Sequence, residues 1–338
     1  MHLNVLAFQA IAATALTFNT ANAHSWAARI DARDAPAIRA ALDGGQPFVA
    51  AGALSHAACD AWTGDLLEGF GDAVVTTQIA GDAIDAPLEA FFYDALASTH
   101  EEPRFLFDEE LLDGADGLRA AAIAAQRIFG EESWLDSFPA ERRPADACVV
   151  CAGAGARSPL HRDPYDWTGT SLCLEGSKVW RFLLDVEDSD LDAYKLPSEA
   201  FGDDSAGTQS DIDLYCFQEC DWPDAEAFDD DRDLVEAMAG PENFAPSHDV
   251  PGRFCTALQF AGDVVVVSPK AWHQTYALGP SCAVASQFCG RRNAPAVFEH
   301  MLRHRSRPDD GILDLARTAP PQDAVEALFA HLDSPDSG

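Results

Sequence analysis

Basic side chains are scarce in this chain. Its 338 residues hold 22 Lys and Arg against 56 Asp and Glu, a formal net charge of −34. A surface with that balance repels a phosphate backbone, so direct nucleic-acid binding is not expected. Solubility accounts for the acidity, and long-range attraction of a basic partner is the other reading. Only three of the cations are lysines, Lys178, Lys195 and Lys270, which makes the place of each informative. Long apolar runs are missing too: the stretch from Val5 to Phe18 is too short for a comfortable membrane span, and no other candidate span occurs. There is no internal repeat, which excludes solenoids and propellers. Nine cysteines include one C-x-x-C, Cys148 to Cys151, without a matching second pair. On a strand those two thiols leave opposite faces, so buried free thiols are expected rather than a zinc knuckle or redox pair. Cys216 and Cys220 are candidates for a disulfide, but spacing dictates no connectivity.

The length fits one large domain with additions. Residues 1–23 resemble a secretory leader, because the Val5–Phe18 run is followed by the small residues Ala21-Asn22-Ala23. No Lys or Arg precedes the run and Gln9 interrupts it. Cleavage would send the chain to the secretory pathway or ER lumen; retention would leave it in the cytoplasm or nucleus. From Trp26 to about Arg143 the pattern reads mostly helical, with good helix formers at Ala35–Leu42 and Leu118–Gln126 and short extended pieces at Pro47–Ala50 and Val74–Ile79. From Ala147 it becomes strand-rich, and residues 295–338 return to helix, ending in Ala324–Phe329. Residues 185–250 are crowded with Asp and Glu, densest at Asp229–Asp231. They read as a solvated insertion rather than a second metal site, with Tyr215-Cys216-Phe217 as a further strand inside it. A mainly β fold with helical flanks, arranged as a double-stranded β-helix of the jelly-roll or cupin kind, is the economical architecture.

The segment Ser158-Pro159-Leu160-His161-Arg162-Asp163 carries the chemistry. His161 and Asp163 are two residues apart, so on an extended segment both side chains leave one face and can chelate one cation. Pro164 prevents a helix from starting at once. His273 follows the run Val264–Val267, whose β-branched residues read as a strand buried on both faces. Two imidazoles and a carboxylate form the facial-triad donor set, which leaves coordination positions open. Lys178 opens the strand-like run Lys178–Leu184, where alternation puts it on the face of Trp180 and Phe182. A cation on an apolar inner face needs an anionic partner.

The His161-Arg162-Asp163 segment, the Gly176-Ser177-Lys178-Val179-Trp180 block and the block from Gly262-Asp263 to Trp272-His273 together resemble the jumonji-C (JmjC) family of Fe(II)- and 2-oxoglutarate-dependent oxygenases, within the cupin superfamily. Phe105–Asp108 and Ile30–Arg33 extend the resemblance over residues 27–290. It implies that His161, Asp163 and His273 hold iron and that Lys178 pairs with the distal carboxylate of 2-oxoglutarate. It also implies that Ser158 donates a hydrogen bond there, with Ser171 and Ser286 as further co-substrate residues. Ala285 stands where relatives often carry Thr, and the Pro269–His273 spacing is one residue shorter than in relatives. The implied activity is hydroxylation of a protein or peptide side chain with molecular oxygen. Tyr165, Asp166 and Trp167 would lie on the substrate side, with packing an equal reading for Trp167. An N-methyl-lysine demethylase would use the same core, although no histone-reader module is present. A 2-oxoglutarate-independent or non-catalytic metal-binding cupin would leave Lys178 unexplained.

Overall fold

A computed structural model describes residues 24–79, 81–99, 102–186, 188–194, 208–210, 212–214, 252–303 and 310–334. The expected leader, the Tyr215–Phe217 strand, the Asp229–Asp231 run, and Cys216 and Cys220 lie outside these residues. The first half supplies β1 (His24–Trp26), β2 (Ala28–Asp31), β3 (Phe48–Ala51), β4 (Val74–Ile79), β5 (Asp82–Pro87) and β6 (Arg104–Asp108). Between them run α1 (Ala35–Gly44), α2 (His56–Phe70) and α3 (Leu88–Leu96), and α4 (Asp116–Gln126) follows β6. The first two helices start where side chains satisfy orphan amides: Asp34 accepts from the Ala37 N–H and Ser55 from the Ala58 N–H. Helix α1 ends at Gly45, whose φ of 65° suits a residue without Cβ.

Helix outweighs strand in this half, as its sequence suggests. The expected helices and the two extended pieces are present, but β5 and β6 join them. Strand β5 is exposed at five of its six positions, so apolar alternation never marks it in the sequence.

The second half contributes β7 (Cys148–Ala152), β8 (Leu160–Arg162), β9 (Thr168–Glu175), β10 (Ser177–Leu184), β11 (Thr208–Ser210), β12 (Arg253–Phe260), β13 (Val264–Val267), β14 (Trp272–Ala277) and β15 (Ser281–Phe288). Three helices follow, Ala294–Leu302, Asp310–Thr318 and Pro321–Asp333. The fold is mainly β with helical flanks, built on two large mixed sheets. One runs β1-β12-β10-β14-β8-β11 and the other β2-β3-β13-β9-β15-β7-β6-β4-β5. Pairing is parallel at β1/β12 and β2/β3 and antiparallel elsewhere.

The sheets pack face to face. Trp180, Phe182, Cys255 and Ala257 of the six-stranded sheet meet Val49, Val265 and Val267 of the nine-stranded one. A buried bond from Gln259 Nε2 to the Ser171 carbonyl, 2.6 Å long, crosses between them. On the far side of the nine-stranded sheet, Leu172, Leu174, Val264, Val266 and Val284 pack under α1 to α4. All four valines of β13 are buried, two toward each face, as their unbroken β-branched run implies.

The far side of the six-stranded sheet is covered by the described parts of the acidic insertion. Leu191, Ile212 and Leu214 pack on Val179, Leu183, Phe254 and Trp272. The fully buried Arg181 donates to the Leu214 carbonyl at 2.5 Å. These parts are a packed cover, not a solvated loop. The C-terminal helices form a separate core with Trp134, Phe138 and Trp167.

Candidate metal centre

Strands β8 and β14 meet at a single pair, His161 opposite His273, which brings the imidazole centroids to 4.1 Å. Asp163 leaves the end of β8 on the same side. Its Oδ1 lies 3.9 Å from Nε2 of His161 and 3.9 Å from Nε2 of His273. The three donor atoms lie within 4.8 Å of one another. Two donors each about 2.1 Å from one ion can be at most about 4.2 Å apart, so both contacts to Asp163 fall within reach of a shared metal.

The tautomers follow from the neighbours. His161 Nδ1 is 2.8 Å from the Pro159 carbonyl and His273 Nδ1 is 3.0 Å from the Ala271 carbonyl. A carbonyl only accepts, so each Nδ1 carries a proton, and the Nε2 of each ring is the atom turned toward the carboxylate. Burial, followed by the adjacent His161, pushes the His273 pKa down to about 4. That ring is therefore neutral near pH 7, the form that ligates. Trp180 stacks on it at 5.8 Å between centroids and fixes its plane.

Gly169 makes room for the Asp163 carboxylate. A Cβ there would sit 2.6 Å from Asp163 Oδ2 and 3.2 Å from Val267 Cβ. The residue went unnoticed in the sequence, where a glycine inside Thr168-Gly169-Thr170 is the only sign of close approach.

Lys178 lies on the same inner face. Along β10 and β14 the pairs are Phe182 with His273, Trp180 with Thr275 and Lys178 with Ala277. The lysine and the distal histidine are thus separated by four residues of strand, roughly 13 Å. Lys178 is 4% exposed, and its Nζ donates to the Val150 carbonyl at 3.4 Å. Among the described residues no carboxylate comes within 4.0 Å of it. Burial lowers its pKa below the ordinary lysine value, while Cys173, Cys151 and Cys282 nearby act in the other direction.

Ser158 sits between the two ends. Its Oγ accepts the Thr275 N–H at 2.9 Å and lies 3.2 Å from Thr275 Oγ1, on the strand position between His273 and Ala277. Ser171 is buried on the inner face of β9, two residues from Gly169 and two from Cys173. Ser286 is not brought to this site. It pairs with Thr170, whereas Ser171 pairs with Ala285, and a shift of one residue reverses the face in a strand. Ser286 therefore points with Val284 toward the helices.

Residue 287 is on the inner face instead. Gln287 pairs with Gly169, and its Oε1 is buried without a hydrogen-bond partner among the described residues. Gln287, Ala285, Val150 and Thr275 are each partly exposed within otherwise buried strands.

The residues after Asp163 pack toward the C-terminal helices. Asp166 and Trp167 are 4% and 6% exposed. Trp167 packs with the C-terminal helices, and the Tyr165 ring lies 5.3 Å from Trp167 and 4.9 Å from His300. Packing is the correct reading for Asp166 and Trp167. Cys148 and Cys151 are free and buried, and the Cys151 thiol meets Cys282 across the strands at 3.2 Å rather than its C-x-x-C companion.

Neither protein-family models nor curated proteins give a match to this chain. Among the described residues, no helix is long and apolar enough to cross a membrane.

Proposed function

We propose that this protein is an Fe(II)- and 2-oxoglutarate-dependent oxygenase of the JmjC type on a jelly-roll core, hydroxylating a protein side chain. The observation that carries the reading is the pairing, on one inner face, of a His-Asp-His donor set with a buried lysine that no described carboxylate neutralises. The donor set suits a divalent metal: two imidazole Nε2 atoms and one carboxylate, which leave the remaining coordination positions open. The lysine suits the distal carboxylate of a short dicarboxylate, because a charge-assisted bond offsets the burial of both ions.

Bound iron and 2-oxoglutarate, with oxygen, would supply the oxidising power and release succinate and carbon dioxide. The chain's own part is orientation and exclusion of water. His161, Asp163 and His273 hold the ion; Lys178 and Ser158 hold the far end of the co-substrate, with Ser171 alongside on β9. Trp180 and Phe182 keep the space between dry. Gln287, with its free acceptor beside Gly169, is placed to orient a donor group at the metal end.

The deciding experiment is an anaerobic titration of 2-oxoglutarate into the Fe(II) protein, followed by its charge-transfer absorption, with a succinate assay on peptide substrates. Appearance of the band and of succinate is expected. Iron binding without either would leave a 2-oxoglutarate-independent metal cupin. Mass spectrometry of the peptides separates a gained oxygen from a lost methyl group.

A further inference from the structure

The two segments that carry the metal ligands come from opposite ends of the strand-rich half, and a single buried carboxylate ties them together. Asp166 lies three residues after Asp163, Lys270 three residues before His273. Asp166 Oδ2 is 3.5 Å from Lys270 Nζ and 3.8 Å from an Arg303 guanidinium nitrogen just past the helix Ala294–Leu302. The carboxylate is 4% exposed, whereas the two cations are about half exposed.

Backbone conformation points to the same place. Four non-glycine residues among those described have positive φ, and three are Tyr165 (61°), Asp166 (55°) and Lys270 (64°). Such conformations persist only where the surroundings hold them. At Lys270 the turn, closed by the Ala271 N–H to the Ser268 carbonyl at 3.1 Å, leaves the Ala271 carbonyl aimed at Nδ1 of His273. On the other side Pro164 and the strained Tyr165-Asp166 pair fix the direction in which the chain leaves Asp163.

We infer that Asp166 is a positioning residue for the metal centre: by pairing with Lys270 and Arg303 it locks the Asp163 segment and the His273 turn against each other and against the C-terminal helices. The inference rests on the proposed triad. Loss of groups that orient metal ligands typically weakens metal binding ten- to a hundredfold, and an effect of that size is expected here.

The test is a titration of the metal-free protein with Co(II), read by its visible d–d bands, alongside thermal unfolding without metal. Asp166→Asn should weaken Co(II) binding about ten- to a hundredfold and alter the band envelope. Lys270→Met should do the same to a lesser degree, while Lys270→Arg retains wild-type affinity. Arg303→Met, which frees only the helices, should lower thermal stability with little change in Co(II) affinity. Wild-type affinity and spectrum in both Asp166→Asn and Lys270→Met would overturn the inference. If Asp166→Asn fails to fold, the half-exposed Lys270 variant decides alone. Absence of Co(II) binding by the wild-type protein would instead overturn the triad itself.

Discussion

The two ends of the inner face differ in how complete they are without a ligand. At the metal end both imidazole Nδ1 atoms meet carbonyls, and the Nε2 atoms converge with the Asp163 carboxylate on one point. At the lysine end a buried ammonium is left with one long bond to a carbonyl. The first end is organised in advance and gains by adding an ion. The second is held at a cost in stability that an incoming anion would relieve.

The largest expected effect breaks the metal end alone. Asp163→Ala removes the only anionic donor, so Fe(II) affinity and turnover should be lost while the fold persists, as read by metal analysis and circular dichroism. Turnover at the wild-type rate in chelator-treated buffer resupplied with iron would disprove the ligand assignment. Next comes Lys178→Met. Leaving one partner of a buried charge pair alone costs on the order of 3–5 kcal/mol, so 2-oxoglutarate affinity should drop more than about a hundredfold with iron binding nearly unchanged. The same variant should melt a few degrees higher than wild type without ligands, because it removes an uncompensated buried cation. A lower melting temperature would mean that the lysine end is not frustrated.

Gly169→Ala should act on the metal end more gently. Its Cβ collides with Asp163 Oδ2, and displacing that oxygen should weaken metal binding about tenfold, within the range seen when ligand orientation is disturbed. Co-substrate contacts at Lys178 should be spared, which a competition titration with a dicarboxylate analogue can check.

The smallest effect is in the pH profiles. Lys178 has a folded pKa below its ordinary value through burial. Between the folded value and about 10.5 the unfolded chain holds more protons, so this residue's contribution to stability rises with pH across that window and is flat on either side of it. Anion binding has the opposite sign, since it needs the protonated amine and should fade at alkaline pH. The metal end, with His273 neutral above about pH 4, should be flat over that range. Parallel titrations of Co(II) and co-substrate between neutral and alkaline pH test the contrast.

What the sequence discloses of this face is what depends on spacing along a single strand. His161 and Asp163 two apart, Lys178 in step with Trp180 and Phe182, and the valine run before His273 all follow from a period of two. Ser286 was misjudged because its face depends on register with β9, which no local pattern encodes. Gln287 and Gly169 became visible only when β9 and β15 were paired. The ion pairs of Asp166 join three segments far apart in the chain, so a reading confined to neighbours does not reach them. Strand β5 escaped for another reason: it ends the nine-stranded sheet, and five of its six positions are exposed, so no buried face patterns it.

The long excursion between β10 and β12 also governs the order in which the site can be assembled. These strands pair directly, from Ser177 with Phe260 to Leu184 with Arg253, and the Asp185–Arg253 ion pair closes the neck across 68 positions. Closing so wide a loop rather than a four-residue turn adds roughly 2–3 kcal/mol of chain entropy to the step that joins them. His161, Asp163 and Lys178 precede the excursion and His273 follows it. A chain emerging from its N-terminus thus carries an incomplete donor set until this late junction forms. Metal capture should consequently lag behind compaction in a refolding experiment, reporting on this long-range closure rather than on early collapse.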